Sequence, residues 1–462
     1  MEKGIKKFIG DKKFYKHLLA IAVPIMLQNA ITNFVSLLDN IMVGQIGTEE
    51  MSGVAIVNQM HFVFILAIFG GMSGVGIFTA QYFGQRDDDG IKHTFRYKLW
   101  LGVIITTIAI IVFLFLGNNI IGAFLNSDTS AGNTAEALNH GMDYLKIVIL
   151  GMPAIAISFA YTGTMRDCGH TVMPMVSGSI AVLTNLALDY VLIFGKFGLP
   201  EMGVEGAAAA TVIARYLEAA INVIWCHTHT KVYTYAKGLY RTLLVPKKMV
   251  KEFLLKGLPI LINETLWSSG MAMLVQCYSM RGMEVVAAGN ISNTINNLLN
   301  VVFVSMGDAV AIIVGQLLGA GDMKEAKSTD NKIIAFAFAS GFLVAGGLVV
   351  ASFFFPQLYN TSPTVKSLAA KLMLIQAVFT PQIALLHTTY FTLRSGGKTV
   401  ITFVFDSGAL WLLSIPTGFI LSRFTGIDVL WIVLAVNLID TLKMLFGLYL
   451  VRKNSWMQTI TV

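Results

Sequence analysis

The feature that most constrains this chain is a series of twelve apolar runs, each long enough to cross a lipid bilayer. A helix needs roughly 20 mostly apolar residues to span the hydrocarbon core. Only 13% of the residues are charged, too few to cover a water-facing surface. The sequence therefore predicts an all-α membrane protein with twelve transmembrane helices. The predicted spans lie near residues 17–41, 53–80, 97–117, 141–163, 172–195, 204–226, 253–277, 289–316, 333–355, 369–392, 400–421 and 429–450.

The basic residues predict how the chain is oriented. An even number of spans places both termini on one side of the membrane. Of the 33 Lys and Arg residues, 24 lie in predicted loops on that side and five in loops on the other. Loops rich in Lys and Arg stay in the cytoplasm. We therefore expect a multi-pass protein of a bacterial plasma membrane, in contact with lipid, with both termini cytoplasmic. Because topology explains the positive charge, nucleic acid is not an expected partner.

The two halves of the sequence repeat each other. Residues 24–87 match residues 259–322 without a gap, and T-M-R-D-C-G-H-T at 164–171 matches T-L-R-S-G-G-K-T at 392–399. Each half has six spans, so both halves have the same orientation, as in a parallel repeat. We expect two six-helix lobes. The predicted boundaries are 1–226 for the N-terminal lobe, 227–252 for a cytoplasmic linker and 253–462 for the C-terminal lobe.

Ionisable residues inside the spans are candidates for function, because burying a charge in lipid is costly. Two sets are spaced i,i+3 and are expected to neutralise each other: Arg215 with Glu218, and Asp440 with Lys443. Among the other acids inside the spans, four without a basic residue one turn away on the same helix are singled out as candidates. They are Asp39, Asp189, Glu264 and Asp406.

Asp189 follows Asn185 by one helical turn, so both side chains lie on the same face. A carboxylate beside an amide oxygen suits a hard cation such as Na⁺. A carboxyl group removed from water can instead carry a proton. The repeat places Leu274 and Thr417 where the first half has Asp39 and Asp189, and it places Asn29 and Gly178 where the second half has Glu264 and Asp406. We therefore expect a cation site in the first lobe and a separate charge in the second.

Asn29 and Asn33 are spaced i,i+4 on the first span, where they could hydrogen-bond a substrate or join helices. The lone histidines His61 and His387 are expected in packing or polar helix contacts. No nucleotide-binding P-loop, HExxH or GxSxG motif occurs in the sequence. We therefore expect neither ATP hydrolysis nor catalysis, and no cofactor.

Several motifs together resemble the multidrug and toxic compound extrusion (MATE) family over nearly the whole chain. The first lobe is most similar to the DinF-type branch. The motifs are P-I-M-L-Q-N at 24–29, L-L-D-N-I-M-V-G at 37–44, T-A-Q-Y-F-G-Q at 79–85, N-L-A-L-D-Y at 185–190 and G-V-E-G-A-A-A-A-T at 203–211.

The resemblance implies a secondary antiporter that exports bulky, often cationic small molecules in exchange for Na⁺ or H⁺. It implies a cation site in the first lobe, which holds Na⁺ if Na⁺ is the coupling ion. The corresponding residues are Asp39, Asn185, Asp189 and Thr211. In the second lobe this chain departs from the family pattern. Glu264 stands five residues after Pro259, whereas many members have this Glu eight residues after the Pro. Asp406 stands later in the sequence than the second-lobe Asp of the NorM-type branch.

Two alternatives remain open from the sequence. The first is a flippase for lipid-linked precursors, from a related branch of the same superfamily. The second is a membrane-embedded transferase, which would need catalytic residues in an outer loop. The longest such loop, near 118–140, has only Asp128 and Glu136 as acids. The identity of the substrates and the choice between Na⁺ and H⁺ also stay open, and we expect a monomer.

Overall fold

The computed structural model describes residues 7–127 and 134–461. Asp128, one of the two acids of the predicted outer loop, lies outside these residues. The side chains of seven further residues are also outside the description: Leu37, Asn40, Ile41, Gly44, Thr48, Asn126 and Ser127.

Twelve helices of the described chain are long and apolar enough to cross a membrane, as the sequence predicts. They are α1 (Lys12–Gly44), α2 (Thr48–Gln85), α3 (Asp88–Ser127), α4 (Thr134–Asp167), α5 (Val172–Ile193), α6 (Gly203–Thr228), α7 (Lys247–Ser279), α8 (Met283–Gly319), α9 (Met323–Phe354), α10 (Pro363–Ser395), α11 (Thr399–Phe424) and α12 (Val429–Arg452).

Side chains cap the starts of several helices. The carboxylate of Asp322 accepts a hydrogen bond from the backbone at the start of α9, and Asp428 does the same at α12. The hydroxyl of Ser362 caps α10, and Pro363 occupies the first turn, where its missing N–H costs nothing. These caps satisfy backbone donors that a helix start would otherwise leave without a partner.

Helix α11 is irregular in its middle. Val404–Gly408 and Leu410–Ser414 are wound as π-helix, with α-helix before and after them. A π-helical turn inside an α-helix is often found at functional sites. Asp406 lies within the first of these segments.

The outer loop predicted near 118–140 is shorter than expected. Helix α3 continues to Ser127 and α4 begins at Thr134, so most of that range is helical. Polar residues such as Asn118 and Asn119 extend α3 beyond its apolar run, which is why hydropathy alone placed the boundary too early.

The described chain forms two compact units. The first-repeat unit comprises Leu27–Thr79 and Asp88–Phe253, and its apolar core is built mainly from α2, α3 and α4. The second-repeat unit comprises residues 7–26, Ala80–Asp87 and 254–461, and its core includes α8, α9 and α10. The first part of α1 and the last two turns of α2 thus pack with the second repeat.

Residues 229–245, which follow α6, are held against the first-repeat unit. Backbone carbonyls of this segment accept hydrogen bonds from side chains of α3, and one of its hydroxyls donates to the start of α3. The contacts are Arg96 Nε to Leu239 O at 2.9 Å, Trp100 Nε1 to Leu243 O at 3.0 Å, and Thr234 Oγ1 to Asp88 Oδ1 at 2.7 Å. This part of the predicted linker is therefore a packed segment.

Residues 454–461, the C-terminal tail, are held in a similar way against the second-repeat unit. Trp456 is fully buried. The side chain of Gln81 joins the tail to the end of α10. The contacts are Ile460 N to Gln81 Oε1 at 2.8 Å, Gln81 Nε2 to Ser395 O at 3.1 Å, Gln458 Nε2 to Gly396 O at 2.7 Å, and Thr459 Oγ1 to Leu318 O at 2.8 Å.

Within the same unit, the end of α2 crosses the end of α8 at two glycines related by the repeat. A side chain at Gly84 would meet the backbone carbonyl of Gln316, and one at Gly319 would meet the backbone carbonyl of Gln81. Only glycine permits so close an approach of two helix backbones. The reciprocal contact also confirms the pairing of positions that the sequence repeat predicts.

Candidate functional site

The first-repeat unit brings together polar side chains from α1, α4, α5 and α6. The amide of Asn185 donates a hydrogen bond to the hydroxyl of Thr211 at 3.4 Å. Asp189, one turn beyond Asn185, is fully buried, and its carboxyl group interacts with that of Asp39. The four residues that the family resemblance indicates are thus neighbours, and we call them the first-repeat carboxyl site.

The two carboxyl groups of this site have no basic partner. Among the described residues, no Lys, Arg or His lies within 4.0 Å of either acid, and both oxygens of Asp189 are buried without a hydrogen-bond partner. The basic residue on α6, Arg215, instead binds Glu218 at 3.1 Å, as predicted from their spacing. Two ionised carboxylates side by side repel each other. A proton or a cation between them would remove that repulsion.

Tyr144 on α4 belongs to this site, and the sequence reasoning missed it. Its hydroxyl donates to the side-chain oxygen of Asn58 at 3.2 Å and interacts with Thr211. The search of the sequence covered ionisable groups and their neighbours on the same helix, so it passed over a tyrosine on another helix. A signal was present, because Tyr144 lies on the buried stripe of α4 together with Val148.

In the second-repeat unit, Asp406 is surrounded by donors. Its Oδ1 atom lies 3.3 Å from the ammonium of Lys443, and its Oδ2 accepts a hydrogen bond from Asn263 at 3.1 Å. Lys443 also lies 3.3 Å from Asp440 on its own helix, which confirms the pair predicted from their spacing. The expectation that Asp406 lacks a partner holds only along its own helix, since Lys443 reaches it from α12.

Glu264 also has a basic neighbour on another helix. Its Oε1 atom lies 4.0 Å from a guanidinium nitrogen of Arg394. The sequence had placed Arg394 in a loop, but the structure places it, buried, in the last turn of α10. The guanidinium also lies over the ring of Phe391 at 5.3 Å, which helps to hold it away from water.

The repeat produces matching contacts with different residues in the two units. In the second-repeat unit, Asn263 on α7 binds Asp406 on α11. At the equivalent positions of the first-repeat unit, Gln28 lies directly against the Cα of Gly178. A glutamine side chain there occupies the space that a carboxylate would need. An acid at Gly178 would therefore have to displace the side chain of Gln28.

The remaining candidates are the two asparagines of α1 and the two lone histidines. Asn29 is half-buried and Asn33 is exposed, both on the part of α1 that belongs to the first-repeat unit. Of the lone histidines, His387 contacts the backbone carbonyl of Ile383 one turn earlier at 3.1 Å, a polar helix contact as expected. The ring of His61 packs against Phe64.

A model of the MatE family matches residues 24–191 and 259–420. The chain belongs to the MatE family. The match occurs once in each half, in agreement with the internal repeat. The resemblance to MATE proteins seen in the sequence motifs is therefore confirmed, and so is the all-helical membrane fold.

Known relatives of similar length also match. One is the probable multidrug resistance protein NorM of Thermotoga maritima, 25% identical over 94% of this chain and 92% of that protein. Another is the multidrug resistance protein PmpM of Pseudomonas aeruginosa, 27% identical over 93% of this chain and 90% of that protein. The probable multidrug resistance protein YoeA of Bacillus subtilis is 23% identical over 97% of both chains.

Solved structures share the fold of this MatE chain. A MATE protein in the bent conformation superposes with a TM-score of 0.85 at 19% identity, covering 98% of both chains. An outward-facing MATE transporter of the MOP superfamily gives a TM-score of 0.83, also at 19% identity and 98% coverage of both chains.

Proposed function

We propose that this protein is a secondary active antiporter that exports bulky, often cationic organic compounds in exchange for Na⁺ or H⁺. The observation that carries the proposal is the first-repeat carboxyl site, where Asp39 and Asp189 face each other with no basic partner among the described residues. Relatives over nearly the full length are named as multidrug resistance proteins, which supports the substrate class.

The oxygen atoms of the site could serve as ligands for a monovalent cation. Two carboxylates are accompanied by the neutral oxygens of Asn185, Thr211 and Tyr144. Oxygen ligands of this kind bind hard cations such as Na⁺. The same pair could hold a proton between its two carboxyl groups.

Coupling requires that the cation and the exported compound favour different states of the protein. A cation between Asp39 and Asp189 removes their repulsion and draws α1 and α5 together. Loss of the cation lets these helices separate. Binding at this site therefore biases the arrangement of the first-repeat unit, and a compound that prefers the other arrangement expels the cation. We further propose that both termini face the cytoplasm, on the basis of the Lys and Arg distribution.

The test is efflux of a fluorescent cationic dye from proteoliposomes, with a Na⁺ gradient or a pH gradient imposed separately. We expect one gradient to drive efflux in the wild-type protein and Asp39→Asn to abolish it. Asp89→Asn is the matched control, since it removes the same charge from a side chain that is 82% exposed. Efflux by Asp39→Asn at the wild-type rate would overturn the assignment of the site.

The alternative of a lipid flippase has its own outcome in this assay. A flippase would move no dye under either gradient. It would instead translocate a labelled lipid-linked sugar. A flippase for anionic headgroups would need an excess of positive charge. In the second-repeat unit the buried bases Arg394 and Lys443 are instead matched by Glu264, Asp406 and Asp440.

A further inference from the structure

The acids of the two units differ in whether a basic group reaches them. In the first-repeat unit, both oxygens of Asp189 are buried without a partner, although Arg215 is close enough to interact electrostatically with neighbouring groups. Glu218 engages that arginine at 3.1 Å. In the second-repeat unit, by contrast, both oxygens of Asp406 have donors, one of them an ammonium group.

Lys443 is the central group of this second arrangement. Its side chain is 8% exposed, and its ammonium lies 3.3 Å from both Asp406 and Asp440. Asp440 stands halfway along α12, so the ammonium lies near the middle of the span, too deep to reach water at the end of the helix. A buried ammonium is stable only when carboxylates compensate it.

We propose that Lys443 is a built-in counter-ion, which takes in the second-repeat unit the place that the coupling cation takes in the first. The proposal rests on the antiport function proposed above. Because the ammonium is covalently attached, it does not leave during the transport cycle. Asp406 and Asp440 are then occupied by the ammonium and do not exchange Na⁺ or H⁺. Ion coupling is confined to Asp39 and Asp189, and one cation moves per cycle.

Other groups face this arrangement from the neighbouring helices. His387 on α10 interacts with both Asp406 and Lys443, and Tyr278 on α7 interacts with Asp440. Glu264 interacts with Asp406 but has Arg394 as its own basic neighbour. Asp406, Asp440 and Glu264 therefore each have a base within 4.0 Å, which the first-repeat carboxyl site lacks, and Glu264 also faces Asp308 on α8.

The position of Asp406 on α11 supports a fixed contact. The π-helical segment Val404–Gly408 carries the acid, and Asn263 binds both its carboxylate and the next residue, Ser407. These hydrogen bonds hold Asp406 in place from α7 while Lys443 holds it from α12. An acid fixed from two helices is suited to permanent pairing, whereas Asp189 has no such contacts.

The experiment measures how many coupling cations each chain binds and how dye efflux depends on their concentration. For the wild type we expect one cation per chain and a Hill coefficient near 1. Asp406→Asn should keep the ion dependence within about twofold, whereas Asp39→Asn should lose it. Lys443→Met should bind a second cation, since two carboxylates then stand without a base. Lys443→Arg, which keeps the charge, should behave like the wild type.

Two results would overturn the inference while leaving the proposed function intact. One is a loss of ion dependence in Asp406→Asn as complete as in Asp39→Asn. The other is a folded Lys443→Met protein that binds one cation only. If Lys443→Met does not fold, the triple variant Asp406→Asn, Asp440→Asn, Lys443→Met removes the ammonium together with both of its carboxylates and should restore the wild-type ion dependence. A wild-type protein without gradient-driven efflux would instead refute the antiport function itself.

Discussion

The ion pair between Lys98 on α3 and Asp167 at the end of α4 leads to a prediction about stability. Removing Asp167 should destabilise the protein more than removing Lys98. The ammonium of Lys98 lies 2.7 Å from Asp167 Oδ2 and 3.2 Å from the hydroxyl of Thr164. The Lys98 side chain is 1% exposed, whereas that of Asp167 is 22% exposed. Removing either partner breaks the pair, but the charge left behind differs in its access to water.

Asp167→Asn leaves a buried ammonium without a counter-charge. Breaking a buried pair in this way costs about 3–5 kcal/mol, and we expect the lower end, about 3, because the amide oxygen still accepts a hydrogen bond. Lys98→Met leaves the carboxylate, which keeps part of its hydration, so we expect about 1–2 kcal/mol. The double variant removes both charges and should lie within about 1 kcal/mol of the wild type.

Thermal unfolding in detergent can rank these variants. The three cysteines, Cys168, Cys226 and Cys277, are free and buried, so a thiol-reactive dye reports their exposure on unfolding without added labels. The control is Asp89→Asn, which breaks an exposed pair with Lys92 and should cost less than about 0.5 kcal/mol. The reasoning is refuted if Lys98→Met is less stable than Asp167→Asn. It is also refuted if the double variant loses as much stability as the two single variants lose together.

Three further predictions concern other contacts. Tyr144→Phe removes the hydroxyl from the first-repeat carboxyl site. The cation concentration for half-maximal dye efflux should therefore rise about tenfold, while the melting temperature changes little. An unchanged ion dependence would contradict this prediction. Gly319→Ala should lower stability by about 1–3 kcal/mol in the thiol-dye assay, since its methyl group meets a backbone carbonyl, whereas Gly346→Ala faces open space and should be tolerated. Trp456→Ala should cost about 3–5 kcal/mol in the same assay, and a cost near zero would show that the C-terminal tail is not packed in solution.

The sequence predicted the twelve spans and the repeat because both depend on patterns along one chain. Apolar runs identify spans directly, and shared polar residues such as Asn58 and Asn293 mark equivalent positions. Span ends were less accurate, because helices such as α3 continue past their apolar part. Arg394, expected in a loop between two spans, proved to be buried in a helix, with Glu264 as its acidic neighbour.

The partners of the candidate residues could be predicted only in part. Contacts within one helix follow from spacing, and Arg215 with Glu218 and Asp440 with Lys443 were found in this way. Contacts between helices depend on helix packing, which spacing does not contain. The reach of Lys443 to Asp406 and the position of Tyr144 therefore required the structure.

The packed C-terminal tail has a consequence for biosynthesis and for protein engineering. Gln81 on α2 accepts a hydrogen bond from Ile460, 379 residues later in the chain, so the end of α2 cannot complete its contacts until residue 460 has been synthesised. A reporter placed close behind the tail should therefore be joined through a long flexible linker, so that Trp456 can keep its buried position.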